Sequence, residues 1–290
     1  MPRFAANLTM LFTELPFPER FAAARAAGFR FVEYLFPYAY PAAELRRLLA
    51  ESGLTQVLFN LPCGDWAAGD RGIAADPARV AEFRDGVPLA VEYAKALGVT
   101  RLNCLAGKLA PGVTEARALD VLAENVAYAA DLLAAKGITL VIEAINRFDI
   151  PGFVLCRTSQ VMALLDAVGR PNAAMQYDVY HAQRQEGELA GTLAANLPRI
   201  SHIQIADNPG RHQPGTGEIN FPFLFAELDR LGYGGFVGLE YVPTPDTRAS
   251  LGWMAAMACG EQWQRTDRGM LPAEGVRKGE EGECLRRPGG

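Results

Sequence analysis

Eight short apolar runs of β type alternate with longer Ala- and Leu-rich stretches of helical type along this 290-residue chain, and that alternation most narrows the folds open to it. The strand-type runs cover residues 4–8, 29–34, 54–60, 100–105, 138–143, 173–178, 200–205 and 236–240. Helices are predicted over 18–27, 42–52, 77–97, 114–136, 159–168, 186–196, 222–231 and 247–259. Their ends are marked. Pro18 and Pro77 suit a first helical turn, Thr114 and Ser159 can cap free amides, and Gly28, Gly53, Gly98, Gly137, Gly169 and Gly232 stand where helices stop. Eight such units satisfy the α/β class as a (β/α)8 TIM barrel, a closed parallel sheet inside a ring of helices. A doubly wound open sheet would carry a glycine-rich turn after its first strand; here Asn7-Leu8-Thr9-Met10 follows, and no G-x-G-x-x-G occurs.

A barrel of this size accounts for residues 1–258 as one domain, leaving 259–290 as a polar tail of Arg, Glu, Gly and Pro with no apolar period and no expected fold of its own. With 28 basic against 33 acidic residues and a formal charge of −5, no long-range attraction to nucleic acid or anionic membrane is built into the total. No apolar run reaches membrane-spanning length. The five cysteines, Cys63, Cys104, Cys156, Cys259 and Cys284, form no C-x-x-C pair, and the amino terminus lacks a signal-peptide pattern, so a reducing, cytoplasmic setting is expected. The helical outer faces of a barrel also permit a homo-oligomer.

Barrels gather their chemistry at the carboxyl ends of the strands. Four consecutive apolar runs end in oxygen donors: Glu143, Asp178, Gln204 and Glu240. Three carboxylates in one mouth repel one another and call for a cation; with the Gln204 carbonyl they form an all-oxygen set suited to one hard divalent ion, Mg²⁺ or Mn²⁺. Glu33 also ends an apolar run but lies in the other half, and is expected to be structural or supporting, paired with Arg30 or Lys108. His181, three residues after Asp178, can reach the mouth as a hydrogen-bond donor to substrate, while His202 shares strand parity with Gln204 and is expected to be buried behind it. Residues 207–218 read as an active-site loop, in which Arg211 can clamp a carboxylate and the amides of Gly215 to Gly217 can hold an anion. Asn60 and Lys108 follow the third and fourth strands and could bind a small acid. Tyr34, Phe36, Tyr38, Tyr40 and Trp66 read first as packing.

With these residues in view, the chain resembles the hydroxypyruvate isomerase family within the xylose-isomerase-like barrels. The resemblance runs to about residue 258 and includes Asn60-Leu61-Pro62, Gly64-Asp65-Trp66, Phe148-Asp149-Ile150-Pro151-Gly152-Phe153, Gln176-Tyr177-Asp178 and Pro214-Gly215-Thr216-Gly217-Glu218. It implies that Glu143 and Glu240 are a catalytic pair and that Glu143, Asp178, Gln204 and Glu240 hold one divalent cation. Many sugar epimerases of the superfamily carry a histidine where Gln204 stands, a departure that favours a short oxo-acid. The expected activity is interconversion of hydroxypyruvate and 2-hydroxy-3-oxopropanoate through an enediolate. Alternatives are isomerisation or epimerisation of a longer substrate, such as a four-carbon 2-oxo sugar acid or a ketose, and a sugar-acid-binding protein without turnover.

Overall fold

Eight parallel strands close on themselves in chain order: β1 (Arg3–Asn7), β2 (Phe31–Glu33), β3 (Thr55–Asn60), β4 (Arg101–Cys104), β5 (Thr139–Glu143), β6 (Ala173–Asp178), β7 (Ile200–Ile205) and β8 (Phe236–Leu239), with β8 pairing back to β1. The computed structural model describes residues 2–258, 263–266 and 269–272. Around the barrel run α1 (Phe17–Ala26), α2 (Ala42–Ser52), α3 (Val80–Leu97), α4 (Glu115–Ala134), α5 (Thr158–Val168), α6 (Val179–Gln185), α7 (Leu189–Asn196), α8 (Phe221–Arg230), α9 (Thr247–Ser250) and α10 (Gly252–Ala258). This is a TIM barrel, and every predicted strand is present to within two residues at either end. Within the segment expected to lack a fold of its own, β9 (Trp263–Thr266) pairs antiparallel with β10 (Gly269–Pro272); the rest of it, with Cys259 and Cys284, lies outside the described residues.

Four predicted helices differ from expectation: residues 77–79 form a separate 3₁₀ turn ahead of α3, the stretch from 247 divides into α9 and α10, and two others start elsewhere. Thr114 caps α4 as read, its hydroxyl accepting from the Arg117 amide, but α5 opens at Thr158, and there the Gln160 side chain, not Ser159, accepts from the amides of Cys156 and Arg157. The stretch read as one helix over 186–196 starts at Leu189; α6 precedes it, and Gly187 and Glu188, both at positive φ, turn the chain between the two. What was missed is the cap of α6. The Asp178 carboxylate accepts from the amides of Tyr180 and His181, so the helix begins on the last residue of β6.

Strand parity sorts the barrel into two environments. Outward-facing Leu140 and Ile142 of β5, Met175 and Tyr177 of β6, Ile203 and Ile205 of β7, and Val237 and Leu239 of β8 join the large core under the helices. Inward-facing Ala5, Leu58 and Val141, joined by Val57 where the β2–β3 register shifts, form a separate apolar cluster inside the barrel, with Phe31, Ala174 and Phe236 packed on it; the Phe31 and Phe236 ring centroids are 4.7 Å apart. This cluster is the floor of the site. Above it the same inward parity brings Asn7, Glu33, Asn60, Asn103, Glu143, Gln176, Asp178, His202, Gln204 and Glu240, all buried.

Candidate active site

All eight strands deliver a polar side chain at or just past their carboxyl ends, and those of the two halves interlock. Glu33 on β2 is completely buried; it accepts from Asn7 Nδ2 (3.0 Å) and Gln204 Nε2 (2.7 Å), and lies 2.7 Å from His202 Nε2. It therefore pairs with neither Arg30 nor Lys108: inward parity takes its carboxylate across the closed barrel to β7, while Arg30 is exposed on the outside. His202 is the buried supporting group expected. Gly238, Glu33's neighbour from β8, has no room for a side chain, since a Cβ there would stand 2.3 Å from Glu33 Oε1.

Glu240 accepts from Asn7 Nδ2 (3.0 Å), Gln204 Nε2 (2.5 Å) and Arg211 Nη2 (2.7 Å). The same Arg211 nitrogen lies 3.7 Å from Asp178 Oδ2, so one guanidinium bridges two strands' carboxylates. Glu143 accepts from Asn103 Nδ2 at 3.3 Å. Burial pushes Glu143 well above the ordinary carboxylate range, reinforced by the charges of Glu240 and Asp178. Burial also raises Asp178, against Arg211 and two amide hydrogen bonds, and lifts Glu240 to about 8 despite Arg211. Arg211 is itself drawn down by burial but more strongly held charged by Glu240, Asp178 and Glu143.

Three buried carboxyls, Glu143, Asp178 and Glu240, thus share the Arg211 guanidinium, with the buried Glu33 behind them, and Asp178 Oδ2 is buried without a hydrogen-bond partner. Glu143, Asp178 and His181 offer ligand atoms within 4.8 Å of one another. The carboxylates of the mouth fit a divalent cation: their excess negative charge and the unpartnered Asp178 oxygen are what such an ion would satisfy. Gln204 is arranged otherwise than expected. Its Oε1 accepts from Gln176 Nε2 at 2.6 Å, and its amide nitrogen donates to Glu33 and Glu240, the pairing that puts a donor rather than a carbonyl oxygen beside two carboxylates. A half-turn of both amides would turn Gln204 Oε1 to the mouth and give the partnerless Gln176 Oε1 a donor.

His181 is buried over the same mouth, its Nε2 3.7 Å from Asp178 Oδ2 and 4.0 Å from Glu143 Oε1; burial, then Arg211 and Arg184, hold its basicity well below the usual range. Its Nδ1 lies 2.6 Å from Asn146 Nδ2. Asn60 is buried beside Asn103 in register and presents an Oδ1 without a partner. Lys108 is exposed, bridged through its backbone to Phe153, and its charge acts on Asp70; the loop after β4 carries it away from the carboxylates. The 207–218 loop is built on Asp207, whose carboxylate accepts from the amides of Asn208, Gly215, Gly217 and Ile219. The amides of Gly215 and Gly217 thus hold an anion, but it is the protein's own. Arg211 sits in this loop at φ 57°, and its Nε is buried without a partner.

Of the aromatics, Tyr34, Tyr38 and Tyr40 pack among Phe17, Phe21, Phe59 and Tyr93, whereas Phe36 meets the part-exposed Trp66 at 5.2 Å. Sequence reasoning missed Asn7, Asn103, Asn146 and Gln176. The first two were findable, since the strand-end rule applied to the second half of the barrel points equally to the ends of β1 and β4. A cleft of about 480 Å³ lies at the amino-terminal end, among Arg101, Ile200, Tyr233 and Gly235, and shares none of these groups.

Comparison with known proteins agrees with the fold. The family described as Xylose isomerase-like TIM barrel matches residues 21–257. The chain is 52% identical over 254 residues to the hydroxypyruvate isomerase of Escherichia coli (strain K12), covering 88% of this chain and 98% of that one. It is 49% identical, with the same coverage, to the 2-oxo-tetronate isomerase of Cupriavidus necator. A crystal structure of a Brucella melitensis protein titled AP endonuclease, family 2, superposes with a TM-score of 0.86 at 46% identity, over 88% of this chain and 98% of that one. The chain belongs to the xylose isomerase-like TIM barrel family and is an isomerase of the hydroxypyruvate isomerase kind.

Proposed function

We propose that this isomerase interconverts hydroxypyruvate and 2-hydroxy-3-oxopropanoate by proton transfer, with Glu143 and Glu240 as the acid–base pair. The observation that carries the reading is their placement: two buried carboxyls on strands three apart in the barrel, facing one mouth, both shifted upward toward the range where a carboxyl can give as well as take a proton. In the forward direction one glutamate removes a proton from C3, leaving an enediolate. A proton returns at C2, and the hydroxyl proton passes from O3 to O2, so the formula is unchanged. Arg211 Nε is a donor available for the substrate carboxylate while Nη2 stays on Glu240. Asn60 Oδ1 can accept from a substrate hydroxyl, and His181 Nε2 faces the carboxylates at a distance that leaves room for a substrate oxygen. Lys108, from the rim, adds only long-range attraction for an acid. When bound among Glu143, Asp178 and Glu240, with Gln204 turned to present its oxygen, a divalent cation such as Mg²⁺ or Mn²⁺ would supply electrostatic stabilisation of negative charge on the substrate's adjacent oxygens.

A four-carbon 2-oxo sugar acid is the second reading, favoured by the likeness to the Cupriavidus necator protein. Both fall to one experiment. Protein stripped with a chelator and restored with Mg²⁺ or Mn²⁺ is followed by proton NMR in D₂O with either acid. Metal-dependent aldehyde formation from hydroxypyruvate, with deuterium at C2, is the expected result. Faster turnover of the four-carbon acid would reassign the substrate, and product without solvent deuterium after repeated turnover would refute proton transfer. Cleavage of abasic DNA is not expected: the chain's net charge is −5, and the mouth gathers carboxylates in place of a basic face.

A further inference from the structure

Asn146 follows β5 and is completely buried. Its side-chain amide cannot be turned over. Oδ1 accepts from the backbone amides of Phe148 (3.0 Å) and Asp149 (2.9 Å), and Nδ2 faces Asp149 Oδ2 (3.2 Å) and His181 Nδ1 (2.6 Å). Nδ2 has two hydrogens and no lone pair to offer, so its contact with His181 is one in which the ring nitrogen accepts. A proton on Nδ1 would point at an N–H. The neutral ring must then carry its proton on Nε2, where the nearest carboxylate oxygens, at 3.7 and 4.0 Å, are beyond hydrogen-bonding distance.

We infer that Asn146 is a positioning residue that fixes His181 as the Nε2–H tautomer, so that the ring donates to a substrate oxygen at the mouth and neither ligates a cation nor takes a proton there. Geometry alone would admit His181 as a third ligand beside Glu143 and Asp178, since a ligand atom of each lies within 4.8 Å of the others. Its neighbour's chemistry removes the lone pair that ligation needs. The donor's use in turnover rests on the isomerase reading above; the tautomer does not.

The test replaces the donor by an acceptor without changing the loop. Asn146→Asp keeps an oxygen under the Phe148 and Asp149 amides but presents only oxygen to Nδ1; pairing it with Asp149→Asn returns a donor to the new carboxylate and relieves the repulsion between the two acids. The chain has three histidines, His181, His202 and His212, so long-range ¹⁵N–¹H spectra resolve each ring. In the wild type the unprotonated nitrogen of His181 should be Nδ1. In the double variant Nδ1 should become protonated, with His202 and His212 unchanged. Turnover should fall by about 10²-fold in kcat, the usual loss for one transition-state donor, with a smaller change in KM. An unprotonated Nε2 in the wild type, or an unchanged tautomer in the variant, overturns the inference. If the wild type turned over neither oxo-acid, the spectra would still decide the tautomer while the substrate assignment failed separately.

Discussion

Gly238→Ala should damage both stability and catalysis, although the residue touches no substrate. The added Cβ would stand 2.3 Å from Glu33 Oε1 and 2.5 Å from its Oε2, against 3.4 Å or more for ordinary contact, so the carboxylate must retreat by about 1 Å. Glu33 has nowhere to retreat without loosening its hold on Asn7, His202 or Gln204, each at 3.0 Å or less. A hydrogen bond to a charged group is worth about 1.5–3 kcal/mol, and a buried carboxylate left short of partners costs more than the bond alone, so a loss of about 2–5 kcal/mol is expected. Alanine's backbone advantage over glycine in a strand, roughly 0.5–1 kcal/mol, opposes this and is smaller. At roughly 2–4 °C per kcal/mol for a domain of this size, the melting temperature should fall by on the order of 10 °C. Gln204 and Asn7 also hold Glu240, so the displacement passes to the proposed acid–base pair. Misplacement by about 1 Å can lower kcat by about 10²-fold. Thermal denaturation and steady-state kinetics read both effects, with Gly234→Ala, where a Cβ meets nothing within 4 Å, as the control. A Gly238→Ala protein that melts and turns over like the wild type would refute the account of a close-packed carboxylate beneath the site.

Chelated protein should lose stability as pH rises from the ordinary carboxyl range to about 8, because Glu240 keeps its proton in the fold and gives it up when unfolded; the slope reaches about 1.4 kcal/mol per pH unit for one group, and Glu143 and Asp178 act in the same direction. Urea midpoints across that range check it, and a flat or rising profile would show the carboxyls to be ionised throughout. Glu143→Gln should abolish turnover yet raise the melting temperature of the chelated protein at pH 8, by removing one of the mutually repelling acids; a lower melting temperature would speak against that repulsion. Mg²⁺ or Mn²⁺ added at pH 8 should stabilise the wild type, by about 2.7 kcal/mol at a hundredfold excess over Kd, and release protons measurable in a weakly buffered titration. Arg211→Gln should raise KM and move the pH optimum upward, since Glu240 loses the guanidinium that holds its pKa down; an unmoved optimum would separate Glu240 from the observed titration.

The fold was legible because its punctuation is local. A glycine at a helix end reports a backbone turn wherever that helix sits, and Gly53, Gly98 and Gly169, all left-handed in the structure, mark helix stops without help from the rest of the chain. Strand parity is equally local, which is why Gln204 and His202 could be placed inward together and Glu143 and Glu240 assigned to one mouth. The partners of Glu33 could not be read in this way. They depend on β2 and β7 meeting across a closed barrel, 169 residues apart in sequence for the His202 contact. Asp178 shows why single-residue reasoning divides: one of its oxygens caps α6, as a bland reading of a strand-end acid would have it, and the other is left bare at the mouth. The orientation of Gln204 escaped for a third reason, because an amide's direction is decided by its neighbours' charges and Gln176 had not been counted among them.

The apolar cluster of Ala5, Val57, Leu58 and Val141, capped by the Phe31 and Phe236 rings, makes the barrel a vessel with one opening. Water and its isotopes can reach Glu143 and Glu240 only from the side on which substrate enters, and a bound substrate is its own stopper. On the proton-transfer route proposed above, a proton taken from carbon cannot exchange with solvent while the mouth is closed, so where the same glutamate returns it to C2 a single passage in D₂O should carry part of the original hydrogen across. Label then accumulates with each opening of the mouth, so the rise of deuterium with the number of turnovers measures how long the vessel stays closed.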